Sequence, residues 1–239
     1  MPGTQGYAVV SCHVERPLDD AVWERYRMLA RRRPGGYPIV SLLRPPADGE
    51  DEKRFVERAQ EVSALGPFGH HTHWTSPTHA RPTGGDAAGQ VEREGHWLRE
   101  RGLEPRFFCG GGWYMDEDVL AVVSELGYVD CTATPERPSF LPPASPRAEL
   151  GAPAWIRLDD GRRVLELPST HSLGAAARSL AGSLPPVVHV YFHDYELLDS
   201  RRRAALSAVL RLLARRRRPT DPVALAPARE VSWADVCAA

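Results

Sequence analysis

The chain has no long apolar run. No stretch approaches the ~20 residues that a membrane-spanning helix needs, so a membrane partner is not expected. It has no charge excess either: 30 Lys and Arg against 31 Asp and Glu give a net charge of −1. That balance gives no general pull toward nucleic acid or an anionic surface. Basic runs occur at Arg201–Arg203 and Arg215–Arg218. They read as solvated faces and ends of a C-terminal helix, where cations suit the helix dipole. Cysteine is scarce. Cys12, Cys109, Cys131 and Cys237 form no CxxC pair, which argues against a thiolate zinc site. The first three lie in apolar, strand-like stretches and read as reduced core residues. The opening Met-Pro-Gly-Thr-Gln-Gly lacks a basic segment followed by an apolar one, so no signal peptide is expected and a cytoplasmic location is. There is no internal repeat and no clear linker.

What is present is alternation. Expected strands are Tyr7–Glu15, Pro38–Leu43, Phe68–Trp74, Arg106–Cys109, Val129–Thr134 and Val187–His193. Expected helices are Ala21–Arg32, Glu52–Leu65, Ala87–Arg101, Asp116–Leu126, a short one near Leu173–Leu180, and Ser200–Arg217. Pro135–Pro153 reads as loop. Trp155–Leu167 reads as a hairpin turning at Asp159-Asp160-Gly161. Pro222–Ala226 reads as a last strand. Strands separated by helices imply parallel βαβ units. The 239 residues are read as a single α/β domain, residues 1–239.

Residues i and i+2 of a strand share a face. Three strand ends place ligand-type residues at that spacing: His13-Val14-Glu15, His71-Thr72-His73 and His193-Asp194-Tyr195-Glu196. Parallel α/β barrels carry function at the ends from which such loops emerge, so a closed barrel is favoured over an open sheet. Histidine and carboxylate suit a divalent metal, zinc first. His70 and His79 add to the local histidine count without being needed as ligands.

Several segments resemble motifs of the polysaccharide deacetylase (NodB-homology) family, over about residues 6–230 and in order. Phe68-Gly-His-His-Thr-His-Trp-Thr-Ser-Pro77 resembles the second motif in a His-x-His variant. Phe108-Cys-Gly-Gly-Gly-Trp-Tyr114 resembles the third, Leu165-Glu-Leu-Pro168 the strand after it, and Tyr191-Phe-His-Asp-Tyr-Glu-Leu197 the fifth. The resemblance implies a distorted seven-stranded (β/α) barrel of the NodB type. It implies a metal-dependent hydrolase that removes an N-acetyl group from a sugar or sugar-like molecule. On this register Glu15, His71 and His73 hold the metal and His13 is the general base. His193 donates to the leaving amine, and Asp194 or Glu196 orients it. Trp74, Gly111, Trp113, Tyr114 and His171 are substrate-binding candidates. Asp19 and Asp20 are alternative carboxylates to Glu15, but they follow Pro17 and look like a helix start.

Two departures stand out. The family's first motif offers an aspartate base where this chain has His13, and its third an arginine where this chain has Cys109. An aspartate needs a cation to hold its charge; a neutral histidine does not, and arginine beside it would penalise the protonated ring. The two changes read as one exchange. They leave open a non-hydrolytic protein that binds carbohydrate, His13 as a further metal ligand, and an amidase acting on small amides that are not sugars.

Overall fold

A computed structural model describes residues 6–80, 84–139, 141, 144–225, 227 and 229–238. Residues 1–5 and Ala226 fall outside them, so the reading of the N-terminal leader and the end of the expected last strand are not described. The elements run β1 (Tyr7–Val14), α1 (Asp20–Arg32), β2 (Ile39–Leu43), α2 (Glu52–Leu65), β3 (Phe68–Thr72), α3 (Ala87–Glu100), β4 (Phe107–Gly110), α4 (Glu117–Glu125) and β5 (Val129–Asp130). Then come β6 (Arg147–Ala148), β7 (Ala154–Arg157), β8 (Arg163–Glu166), β9 (His171–Ser172), α5 (Leu173–Ser179), β10 (Val187–His193), α6 (Ser200–Leu213), β11 (Arg218–Pro219), β12 (Glu230–Ser232), α7 (Trp233–Val236) and β13 (Cys237–Ala238).

Local chemistry sets the boundaries. Aspartate caps five of the helices, at Asp19, Asp51, Asp86, Asp116 and Asp199, each accepting backbone N–H groups of the first turn. Each such cap contributes about 1 kcal/mol. Gly161 turns the β7–β8 hairpin at positive φ, as its sequence predicts.

The main sheet runs β5-β4-β3-β2-β1-β10 with every neighbour parallel. Its two ends meet in residues 163–172. The first half of that segment, β8, pairs with β5, and Leu167 N–H and Ser169 N–H continue onto Asp130 O and Ala133 O. The second half, β9, pairs with β10. One chain segment thus carries strands at both ends of the parallel run, and the architecture is the mixed α/β, mostly parallel sheet expected.

Three expectations are corrected. Pro222–Leu225 is a 3-10 turn, not a strand; the edge strand of this region is β12, which pairs with β7. Proline has no N–H to give a ladder, and Pro222 opens that turn. Helix α6 stops at Leu213, since the arginines that follow have no apolar face to bury. The proline-rich stretch holds β6, which pairs with β13.

Alternation along the strands separates an inner cluster from outer ones. Ala8, Val10, Cys12 and Val14 of β1 pack outward, in one cluster with Trp23, Tyr26 and Leu29 of α1; Val188, Val190 and Phe192 of β10 join them. Val9, Val40, Leu42, Phe107, Cys109, Val129, Cys131, Leu165 and Leu167 form a separate cluster on the inner face of the sheet. Burying side chains of this size stabilises by roughly 1.5–3 kcal/mol each. The same two-residue period that points Val9 inward points Ser11 and His13 inward after it.

Candidate metal centre

His13 is the last residue but one of β1 and His193 ends β10, and the two are paired in register. His71 lies near the end of β3 and His73 just past it. All four side chains line the same cavity. Ring centres are 4.6 Å apart for His13 and His71, 5.0 Å for His71 and His73, and 5.1 Å for His13 and His193. Glu15 closes the group: its Oε1 lies 3.6 Å from His73 Nε2 and 3.5 Å from His193 Nε2. Ligand atoms of Glu15, His71 and His73 lie within 4.8 Å of one another.

The hydrogen bonds assign tautomers. His71 Nδ1–H donates to Cys109 O at 2.8 Å, and His73 Nδ1–H donates to Pro77 O at 2.9 Å. A carbonyl only accepts, so each Nδ1 carries the proton and each Nε2 keeps its lone pair. The Nε2 atoms of His13, His71 and His73 are buried and have no hydrogen-bond partner. Buried polar atoms normally find one. The lone pairs of His71 and His73, gathered beside the Glu15 carboxylate, fit a divalent cation, and Nδ1–H bonded to a carbonyl is the usual brace for a metal-binding histidine. Burial, then the proximity of His73, holds the His71 pKa down to about 3. Burial, then His71 and His193, lowers that of His13. Burial pushes Glu15 up, but the proximity of the His73, His193 and His71 rings outweighs this and holds it at about 2. At neutral pH the carboxylate is therefore ionised and His71 neutral, the forms that bind a metal.

A network behind β3 fixes the ligands. Thr72 and His70 point to the opposite face. Thr72 Oγ1–H donates to Glu94 Oε2 at 2.8 Å, and His70 Nε2 lies 2.7 Å from the same oxygen. Gln90 Nε2–H reaches both Glu94 Oε1, at 2.8 Å, and His73 O, at 2.9 Å. His70 is thus a brace and not a ligand.

The cavity above the histidines has a volume of about 480 Å³. Trp113 and Tyr191 form one wall, ring centres 4.8 Å apart, and Trp113 lies 5.3 Å from His13. Trp113 sits at φ 61°, in the left-handed region that disfavours a bulky side chain. Thr78, His79, Ala80, Gly110, Gly112 and Tyr195 complete the lining. Of the substrate-binding candidates, Trp113 lines the cavity and Trp74, Gly111, Tyr114 and His171 do not. Trp74 Nε1–H is spent on Gly111 O at 2.8 Å, and its ring packs on Tyr114. Gly111 is packed so that a Cβ would meet the carbonyl oxygens of Thr72 and Ala80. His171 Nδ1 pairs with Thr170 Oγ1.

Asp194 and Glu196 also sit outside the cavity lining and act on backbone. Asp194 accepts Arg16 N–H at 2.9 Å and Tyr195 N–H at 2.8 Å, and burial raises its pKa to about 7. Glu196 accepts His193 N–H at 3.4 Å and pairs with Arg202. Asp19 caps α1, and Asp20 pairs with Arg54 and Arg58, which leaves Glu15 as the carboxylate of the site. Sequence reading missed Thr78, Ala80, Tyr191 and Tyr195 as wall residues. Tyr191 had a signal: it stands two before His193 and so shares its face.

No family model matches the chain, and no curated protein matches it in sequence. Solved structures match its fold. A family 4 carbohydrate esterase from Streptomyces lividans, in complex with acetate, superposes with a TM-score of 0.53 at 11% identity, over 95% of this chain and 98% of that one. A mutant of a family 4 pseudoenzyme with restored enzymatic activity superposes at 0.56 and 8% identity, over 97% and 71%. The chain therefore has the NodB-like α/β fold of the family 4 carbohydrate esterases.

Proposed function

We propose that this protein is a metal-dependent hydrolase of a C–N amide bond, removing an N-acetyl group from a sugar or sugar-like molecule. The observation that carries the reading is the convergence of Glu15 with the lone-pair Nε2 atoms of His71 and His73 at the floor of an open cavity. These three residues would hold zinc or a similar ion. When bound, the ion lowers the pKa of a water and polarises the amide carbonyl.

The remaining work falls to side chains. His13, neutral and without a partner on Nε2, accepts the proton of the attacking water. The water oxygen bonds to the acyl carbon, the C–N bond breaks, and His193 donates a proton to the departing amine. Return of the proton from His13 to His193, ring centres 5.1 Å apart, resets the pair. Acetate and a free amine leave. Trp113 and Tyr191 offer apolar ring surface to a sugar face.

Zinc-dependent release of acetate from N-acetylated amino sugars tests the reading. His13→Ala should keep the metal and lose at least ~100-fold in kcat, the usual worth of a general base. Full activity in that variant would remove His13 from the mechanism.

A second reading rests on one observation: Cys109 Sγ, where the family's arginine would stand, is buried among His13 and His71. A site without that cation is also compatible with carbohydrate binding and no turnover. Metal retention with no acetate release from any acetylated sugar or small amide would select it.

A further inference from the structure

A second cavity of about 580 Å³ adjoins the first, and Glu15, Thr78 and Tyr195 line both. Its remaining lining includes Arg16, Asp19, Arg44 and Glu50. The charges there are almost all committed. Arg44 forks onto both Glu50 oxygens at 2.9 and 3.0 Å. Asp19 is taken up by the N–H groups of Ala21 and Val22. Glu15 belongs to the metal centre. Arg16 is left over: among the described residues its guanidinium has no carboxylate partner. It lies 5.2 Å over the ring of Tyr195, which in turn stacks on His193 with ring centres 5.3 Å apart. Its backbone is pinned by Asp194 Oδ2. One exposed guanidinium thus lies at the junction of the two lobes, one residue from Glu15, with no side-chain hydrogen bond among the described residues.

We propose that this lobe is a subsite for an anionic substituent, a carboxylate or a phosphate, carried by the acylated sugar and bound by Arg16. The inference rests on the hydrolase reading above, since it extends the same substrate. Guanidinium matches both oxyanions through paired N–H donors. The cation–π contact with Tyr195 restrains it beforehand, so less rotamer freedom is lost on binding. A sugar whose acetamide lies over the histidines would then reach the second lobe with a charged group.

The test measures apparent affinity calorimetrically with the zinc-loaded full chain. Three probes are used: N-acetylglucosamine, its 6-phosphate, and its uronic acid. Expected is a preference of about fivefold or more for at least one anionic probe, the tighter one naming the substituent; exposed ion pairs set that lower scale. The preference should shrink as salt screens the pair. It should vanish in Arg16→Gln and return in part in Arg16→Lys, with zinc stoichiometry unchanged in both. Equal binding of neutral and anionic probes, or a preference that survives Arg16→Gln, overturns the subsite and leaves the hydrolase reading standing. A wild-type chain that takes up no zinc, or takes up zinc and binds none of the three sugars, overturns both.

Discussion

The side chains of His13 and Cys109 meet on the inner face of the sheet, with ligand atoms within 4.8 Å of each other and of His71. The two positions that depart from the family pattern are therefore neighbours in space, and they should be coupled. Cys109→Arg alone buries a cation against histidines and should destabilise by about 3–5 kcal/mol, the scale for an uncompensated buried charge. His13→Asp alone buries a carboxylate without a partner. The double variant should recover about 1–3 kcal/mol relative to the sum of the singles. Chemical denaturation of the four proteins measures it; additive effects would show that the exchange is not a unit.

Glu94 holds the segment between His71 and His73 through the Thr72 hydroxyl. Glu94→Gln should weaken zinc binding by about 10–100-fold, the usual effect of losing an outer brace, while the helix persists. Competitive titration with a chelating dye reads this. An unchanged zinc Kd would mean that β3 places its ligands unaided.

Asp130 and Glu166 are fully buried and paired in register across β5 and β8; Asp130 Oδ1 accepts from Thr132 and Glu166 Oε1 from Ala133 N–H, and the second oxygen of each has no partner among the described residues. Burial raises both pKa values, and for Glu166 the neighbouring Asp130 adds to the rise. The folded state therefore keeps a proton that the unfolded chain releases near pH 4. This contribution is complete below that pH and is lost as pH rises through the folded pKa, by about 1.4 kcal/mol per unit over which the proton is still held. Glu166→Gln puts a neutral amide beside Asp130 and should flatten the decline in Tm as pH rises above the ordinary carboxylate range. The same slope in the variant would exclude the pair as its source.

Gly111 has no room for a side chain, because Thr72 O and Ala80 O occupy it. Gly111→Ala should cost about 1–3 kcal/mol, as overpacking does, and should weaken zinc binding, since Thr72 lies between His71 and His73. Thermal unfolding and zinc titration together check this. A variant as stable as the wild type would show that the Gly111 turn moves freely.

The strand-tip pattern was legible in the sequence because it is local. A period of two sends His71 and His73 one way and His70 and Thr72 the other, and it does the same for His13 and Glu15. Capping made Asp19 legible as a helix start. What depends on register was not. Glu94 meets Thr72 from a separate helix, and Asp130 finds Glu166 only once β5 and β8 are aligned. Thr78 and Ala80 reach the cavity on a turn closed by the Ser76–His79 bridge, which no periodicity announces. The family resemblance offers Trp74 and Tyr114 as substrate-binding candidates, and their packing on each other is a tertiary fact. Pro222–Ala226 looked apolar enough for a strand, but proline at its head and a 3-10 turn decided otherwise.

Zinc titration of the chain and its His71→Ala, His73→Ala and Glu15→Ala variants, read by elemental analysis after dialysis, bears most directly on the metal centre. Expected is one equivalent retained by the wild type and lost in each variant, with circular dichroism unchanged. A wild type that holds no divalent ion, or variants that hold it as well as the wild type, would contradict it.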